Sequence, residues 1–504
     1  MSGAALRLLA PLWLGLAAVT TLPYLAAERH APAGTRFLGA LFYPDDFHQY
    51  LSFAEQAGRG ALLFVNKFDG RPQEPALINL EWWLAGTLGR LGGGPALGLH
   101  VLRLLALAAL LAACYGLLTL HGRTGRERAW GLALVATGSG LGWLRRALGT
   151  PGWQIPDLLT GLYPSHQALS NAHFVVGTGL LAASLLLYLR WRLDEAPRWA
   201  WLACAWALGL SRPYDMAVFA MVVLAAELWS GRDRPRLALA RAFELTWLLP
   251  VFVYYALVVG LHPSLGGWSD QSGDLSPPRL EYAFALAPAA ALVVAFGRGR
   301  DRGAEAPGLV RALLPAWCGC LLALLLLWPS PMAKQYAISL GAALLLWAAA
   351  VTPGRALPWA VLALSPTSLF LLWRAFNPFS ISFAPASYFT ATRFLASACR
   401  PAELALAPTD LSLMIAGLTP CHVAVGHRLL TPGFAGEVAL ATRFYDPATP
   451  VAWRLAYLRA KGFAYVALPA GRAFLLGTSS AWTPVLREPL LEILKQEGIE
   501  RSAR

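Results

Sequence analysis

Charge is scarce in this chain. Of its 504 residues only 14% are Asp, Glu, Lys or Arg, while 57% are hydrophobic. A soluble protein of this size could not cover that much apolar surface, so a soluble globular enzyme is excluded. Lysine is rarer still, and nearly all the cations are arginine. Many of these arginines cluster in short loops between apolar runs. The net charge of +13 therefore reports membrane topology, not nucleic-acid binding. The chain has no Walker loop, no His-Glu-x-x-His and no Gly-x-Ser-x-Gly. These absences remove the usual phosphate cradle, the zinc-protease helix and the serine-hydrolase elbow. Gly92-Gly93-Gly94 and Gly138-Ser139-Gly140-Leu141-Gly142 lack the flanking strand of a phosphate loop. The second run reads as close helix packing by small residues.

Cysteine is sparse too, six in all. Cys114, Cys204, Cys318 and Cys320 fall in apolar runs and read as small core residues. Two residues apart on a helix, Cys318 and Cys320 do not face one another, which excludes a metal pair. Cys399 and Cys421 fall in the C-terminal tail, where a disulfide is chemically permitted but spacing cannot establish it.

What is abundant is long apolar runs. They predict helices near 5–27, 97–120, 128–147, 168–190, 199–211, 214–230, 243–261, 281–297, 309–328, 335–350 and 357–375, about eleven spans. Arginine-rich loops at 123–128, 190–192, 232–236, 298–302 and 355 alternate with arginine-poor ones. The charge rule makes the first set cytoplasmic. The N-terminus is then cytoplasmic, and the 28–96 loop and everything after 376 are external. Eleven crossings agree with opposite ends. The first run is long, with no clean cleavage site before Glu28-Arg29-His30, and reads as a retained span. Richness in Ala, Leu and Arg points to a GC-rich bacterium, and so to its inner membrane.

The 28–96 loop is patterned. Residues 45–58 place Phe47, Tyr50, Leu51, Phe53 and Ala54 on one helical face, and 75–91 read as an amphipathic interfacial helix with a Trp pair. The tail loses long apolar runs and gains alternation. Strands near 403–408, 422–427 and 464–469, with helices near 435–445 and 449–461, predict a small α/β domain with a mostly parallel sheet. The division is a transmembrane domain over 1–375 and an external α/β domain over 376–504.

Ionisable residues at membrane depth are costly, so each is a functional candidate. Asp45 and Asp46, with His48 two residues on, could act as a general base or hold a divalent cation. They could equally open a helix, since Asp favours its first turn. Asn171-Ala172-His173-Phe174 opens one span and Lys334-Gln335-Tyr336 another. Ser211-Arg212-Pro213-Tyr214-Asp215 puts an Arg and an Asp between two apolar half-spans. All four clusters open toward one side, which suits an anionic substrate with a lipid tail. Each keeps a structural alternative. His173 could cap a helix, Arg212 and Asp215 could be a salt pair, Lys334 could snorkel, and Glu74 could be an exposed helix-start acid.

The order of these features resembles the GT-C superfamily of membrane glycosyltransferases, within it a bacterial multi-span subgroup. The resemblance rests on Asp45-Asp46 with Tyr50-Leu51, on Glu74, on Asn171-Ala172-His173-Phe174, on Arg212-Pro213-Tyr214-Asp215, and on Gly426-His427 with Thr431-Pro432. Ala172 stands where a proline is usual and Arg212 where a histidine is. The resemblance implies an inverting glycosyltransferase that moves a sugar from a polyprenyl-phosphate donor to an acceptor on the external face. Asp45 would be the base, with Asp46 and His48 orienting it or sharing a cation such as Mg or Mn. Arg212 or Lys334 would stabilise the departing lipid phosphate. Glu74, His173, Tyr214 and Asp215 would contact substrate. A transporter or flippase for a lipid-linked or anionic substrate would instead need polar residues through the middle of several spans. A non-catalytic GT-C-like scaffold is the third reading.

Overall fold

The structure is a computed structural model that describes residues 3–159, 161–231, 235–266, 277–297, 307–327, 337–477 and 481–497. Helix α1 (Gly3–Arg29) crosses first. In the loop that follows, β1 (Thr35–Phe37) precedes α2 (Pro44–Gly58) and α3 (Leu80–Gly89). The bundle continues through α4 (Gly94–Leu120), α5 (Gly125–Thr137), α6 (Gly142–Ala147), α7 (Pro156–Leu159), α8 (Pro164–Leu169) and α9 (Ala172–Arg192). Then come α10 (Arg198–Ser211), α11 (Pro213–Ser230), α12 (Pro235–Phe243), α13 (Leu249–Val253), α14 (Arg279–Gly297) and α15 (Gly308–Leu327). The last membrane helices are α16 (Leu340–Val351), α17 (Leu357–Leu364) and α18 (Pro366–Phe376).

Among the described residues seven helices are long and apolar enough to cross a membrane. The α17–α18 pair, bent by 44°, makes an eighth. The remaining expected spans are shorter. The run at 128–147 breaks because Gly138–Leu141 leaves the helix, and a side chain on Gly140 would collide with the Ala285 carbonyl of α14. The small-residue run is thus a close helix contact. Helix α10 stops at Ser211 because Pro213 lacks the N–H a continuing helix needs. The tenth span, expected over 335–350, is described only from residue 337.

The interfacial helix starts later than its pattern suggests. Asn79 accepts a hydrogen bond from the Trp82 N–H and caps α3, while residues before it run extended. That extended run is pinned to the bundle. Tyr254 donates to the Ala76 carbonyl at 2.6 Å and Tyr255 to the Ile78 carbonyl at 2.9 Å.

The tail is built from β2 (Phe383–Pro385), α19 (Ala386–Ala398), β3 (Leu404–Leu406), α20 (Thr409–Leu418), β4 (His422–Val423), α21 (Phe434–Tyr445), α22 (Val451–Lys461), β5 (Phe463–Pro469), β6 (Trp482–Glu488) and β7 (Leu491–Gln496). Its sheet has the order β4-β3-β5-β7-β6. β3 pairs in parallel with β4 and β5, but β7 runs antiparallel to both β5 and β6. The sheet is therefore mixed where a mostly parallel one was expected. The two missed strands form a hairpin whose outer strand is largely exposed and lacks a clean alternation.

Two junctions fasten the tail to the first loop. β1 pairs antiparallel with β2. Helix α20 packs on α2, and residues of both share one apolar core with the membrane helices. The polar contacts between them are buried. Lys67 Nζ donates to Glu55 Oε2 at 2.8 Å and to the Thr419 carbonyl at 2.7 Å, closing the end of α20. Asn66 Nδ2 donates to the Leu430 carbonyl at 2.7 Å. The left-open cysteine pair is joined: Cys399 and Cys421 form a disulfide with a Cα–Cα separation of 5.7 Å.

Candidate functional site

Pro44 starts α2 with its fixed φ, and Tyr43 before it takes a left-handed turn (φ 52°). This puts Asp45 and Asp46 in the first turn, on the wall of a cavity of about 1510 Å³. The cavity is bounded by the start of α2, the starts of α9 and α11, the α6–α7 region and α18. Its lining combines two chemistries. One comes from Asp45, Asp46, Gln49, Tyr50, His173 and Tyr214. The other comes from Trp143, Trp153, Phe370, Trp373, Phe379 and Ile381, with Arg146 and Arg374. The Arg374 guanidinium lies 4.3 Å from the centre of the Phe379 ring.

The acidic pair is asymmetric. His427, from the tail, places Nε2 3.4 Å from Asp46 Oδ1. The Leu429 N–H donates to His427 Nδ1 at 3.2 Å, so Nδ1 is the acceptor and the proton sits on Nε2, facing Asp46. Asp45 has no such partner. The protein packed around Asp45 raises its pKa above 3.8. His427 works the other way, and the nearby charges of Asp46 and Asp410 raise it further. A carboxylate held on the basic side of its usual range, open to a cavity, is suited to taking a proton.

His48 does not join this group. Two residues past Asp46 it is turned about 200° round the helix. It donates from Nδ1 to the Pro44 carbonyl at 2.8 Å and lies buried against Gly417 of α20. Burial pushes its pKa down to about 4, so it is a neutral packing residue. His166 is likewise buried behind the wall, edge-on to Phe42 at 5.3 Å, with its pKa pushed down to about 4 by burial.

His173 lines the cavity, as the sequence reading expects of a contact residue. Its partner is Glu81 of α3, whose Oε2 lies 2.7 Å from His173 Nδ1. Glu74, the loop acid expected to contribute, is exposed elsewhere, where its backbone carbonyl meets His262. Arg212 and Asp215 form a buried ion pair at 2.5 Å, and neither lines the cavity. A side chain on Gly177 would collide with both, so only glycine leaves room for the pair. Of that cluster only Tyr214 reaches the cavity. Lys334 lies outside the described residues.

Glu81, His427, Arg146 and Arg374 were not singled out as site residues from the sequence. Glu81 had a signal, a lone acid beside a Trp pair in an apolar helix. His427 had one too, in the Gly-His element of the tail. Arg146 and Arg374 sit among aromatic residues near helix ends, where membrane proteins place arginine for many reasons.

Two carboxylates and an imidazole are acceptable donors for a divalent cation. Yet among the described residues no group of three or more His, Cys, Asp or Glu side chains comes together closely enough to hold one. The donor set does not fit a protein-built cation site.

No family model matches the chain. No curated protein matches it in sequence. Solved structures do match its fold. ArnT from Cupriavidus metallidurans in the apo state superposes with a TM-score of 0.52 at 14% identity, over 96% of this chain and 97% of that one. The same protein bound to undecaprenyl phosphate gives 0.50 at 15% identity over the same shares. The Archaeoglobus fulgidus oligosaccharyltransferase in the apo form gives 0.51 at 12% identity, over 92% of this chain and 71% of that one. At these identities the likeness concerns the fold alone, a multi-helix membrane fold shared with ArnT and with that oligosaccharyltransferase.

Proposed function

We propose that this chain is a membrane glycosyltransferase that moves a sugar from a polyprenyl-phosphate donor to an acceptor at the external face of a bacterial inner membrane. The observation that carries the reading is a single cavity lined both by an acidic pair and by aromatic residues with two arginines. The GT-C fold and the undecaprenyl phosphate bound by the ArnT neighbour support it. The N-terminus is then cytoplasmic and residues 376–504 external, with α5, α10 and α16 as short crossings that complete eleven.

Asp45 takes the proton of the acceptor hydroxyl. The acceptor oxygen bonds the anomeric carbon from the face opposite the phosphate. The bond from that carbon to the phosphate oxygen breaks, and its electrons stay on the lipid phosphate, which inverts the anomeric centre. Negative charge grows on the phosphate as the bond breaks, and Arg146 and Arg374 answer it where Arg212, buried and paired with Asp215, does not. Among the described residues neither has a carboxylate partner. The aromatic part of the lining takes the first prenyl units. No step passes through a metal ion.

A transporter reading would draw on the α10–α11 break. Its arginine is buried and already paired with Asp215, which disfavours that reading.

Purified protein in detergent, given undecaprenyl-phosphate sugars and an envelope extract as acceptor source, should release undecaprenyl phosphate. Asp45→Asn should abolish most of that release with thermal stability unchanged. Equal release from the folded variant would sink the assignment.

A further inference from the structure

Behind the cavity wall lies a buried polar arrangement that the transfer chemistry above does not use. Glu81 Oε2 is 2.7 Å from His173 Nδ1, and the Glu81 side chain has no exposed surface. Its other oxygen, Oε1, is buried with no hydrogen-bond partner. The His173 ring packs against a pair of aromatic rings, 5.0 Å from Tyr50 and 6.5 Å from a stacked Trp82, which are themselves 6.1 Å apart. Arg212 Nη1 donates to the His173 backbone carbonyl at 3.4 Å. Position and tilt of the imidazole are therefore fixed from α2, α3 and the α10–α11 break.

A carboxylate oxygen 2.7 Å from a ring nitrogen decides where the proton is. Two lone pairs at that distance repel, so Nδ1 must carry hydrogen. What varies is Nε2, a lone pair in the neutral ring and an N–H in the charged one. Nε2 has no hydrogen bond to the described protein, and the ring forms part of the cavity wall.

We infer that Glu81 is a positioning residue: it fixes one proton of His173 on Nδ1, so that a second proton taken up by the ring sits on Nε2, where the charged imidazole donates to an anionic phosphate headgroup in the cavity. The contact with a headgroup rests on the transferase reading above; the fixing of the proton does not. A buried carboxylate with one oxygen committed to an imidazole is the arrangement by which a second residue orients a working histidine. A glutamate used only for packing would leave a desolvated charge uncompensated, which is costly.

The test separates the two parts. Full-length protein with ¹⁵N-labelled histidine rings is reconstituted in lipid and read by magic-angle-spinning ¹⁵N NMR, with His173→Gln identifying the resonances. The wild type should show a protonated Nδ1 at His173. An unprotonated Nδ1 would overturn the inference outright. Glu81→Ala should release the ring into the other tautomer, and Glu81→Gln, which keeps an acceptor of the same reach, should restore the wild-type pattern. A wild-type pattern in folded Glu81→Ala protein overturns it as well.

Adding undecaprenyl phosphate should shift the Nε2 resonance, and Glu81→Ala should weaken that binding about tenfold, the usual scale for a lost charged hydrogen bond. Inorganic phosphate at the same concentration should leave Nε2 unchanged; a shift by both keeps the phosphate contact but shows that it does not need the lipid. If undecaprenyl phosphate raises the melting temperature yet leaves Nε2 unmoved, the contact is wrong and the transferase reading stands. If it neither binds nor shifts Nε2, the transferase reading and the contact fall together, and the NMR of the free protein alone decides the role of Glu81.

Discussion

His427 Nε2 sits 3.4 Å from Asp46 Oδ1 although 381 residues of chain separate them. The tail thus supplies a buried partner to a carboxylate of the cavity wall. Because the Leu429 N–H occupies Nδ1, the imidazole can only donate to Asp46. Asp46 is committed, and Asp45 has no hydrogen-bond partner among the described residues. Asp45→Asn should therefore cost roughly 10²–10⁴ in rate, the range for a lost general base. Asp46→Asn and His427→Ala should cost less. His427→Gln, which can still donate, should recover part of the loss. Initial rates of undecaprenyl phosphate release would rank the four variants. A larger loss for Asp46→Asn than for Asp45→Asn would reverse the assignment.

The charges around Asp45 predict a pH dependence. A base must be unprotonated, so activity is lost as pH falls through its pKa, which lies above the ordinary value. Asp410, exposed at the start of α20, contributes to that elevation as a like charge. Asp410→Asn removes the charge without touching the cavity lining. The acid limb of the rate–pH profile should move to lower pH, with the plateau unchanged. Because Asp410 is exposed, the shift should shrink in about 1 M salt. An acid limb moving upward would contradict the sign.

Much of this fold is legible in the sequence because the membrane imposes long apolar runs that leave little room for other readings. The helix at 45–58 and the tail helices near 435–445 and 449–461 fall where their periodicity puts them. The β6–β7 hairpin was missed because its outer strand is largely exposed and carries no alternation. The site was legible at the residues that break the apolar pattern, such as Asp45, Asp46 and His173. Glu74 stands out in the sequence and Glu81 does not, because exposure cannot be seen there and a loop acid beside Pro75 looks more available than an acid inside an apolar helix. Arg212 attracted a functional reading because a cation between half-spans is expensive. Here the expense is met by Asp215.

The disulfide fixes the segment that carries His427. It closes a loop of 22 residues, for which the chain-entropy model gives about 3 kcal/mol. Cys399→Ser with Cys421→Ser should lower the melting temperature of the detergent-solubilised protein. It should also reduce activity beyond what unfolding explains, since His427 follows Cys421 in the freed segment. Wild-type activity at a lowered melting temperature would mean that Lys67 and the α2–α20 contact hold His427 unaided.

Orientation is open to direct measurement. The proposed topology, read from the arginine-rich loops, has the end of α11 in the cytoplasm and the tail outside. Reporter fusions after Gly231 and after Ser380 should report opposite compartments. The same compartment for both would invalidate the topology, and with it an external acceptor.

Two arginines near the cavity should behave in opposite ways. Arg374 lines the cavity, is partly exposed, lies over the Trp373 and Phe379 rings, and has no carboxylate partner among the described residues. Arg374→Gln should leave the fold intact and raise KM for the polyprenyl-phosphate donor, with a smaller effect on kcat if the guanidinium binds ground state and transition state alike. Arg212 is fully buried and paired with Asp215. Arg212→Gln leaves the Asp215 carboxylate buried without its counter-charge, a change that costs roughly 3–5 kcal/mol. Its effect should appear as a lower melting temperature and poor expression. Arg212→Gln with Asp215→Asn removes both charges and should recover much of that stability. A folded Arg212→Gln protein whose only defect is a raised donor KM would return Arg212 to the substrate, and would require the cavity to open further into the α10–α11 break than its present lining allows.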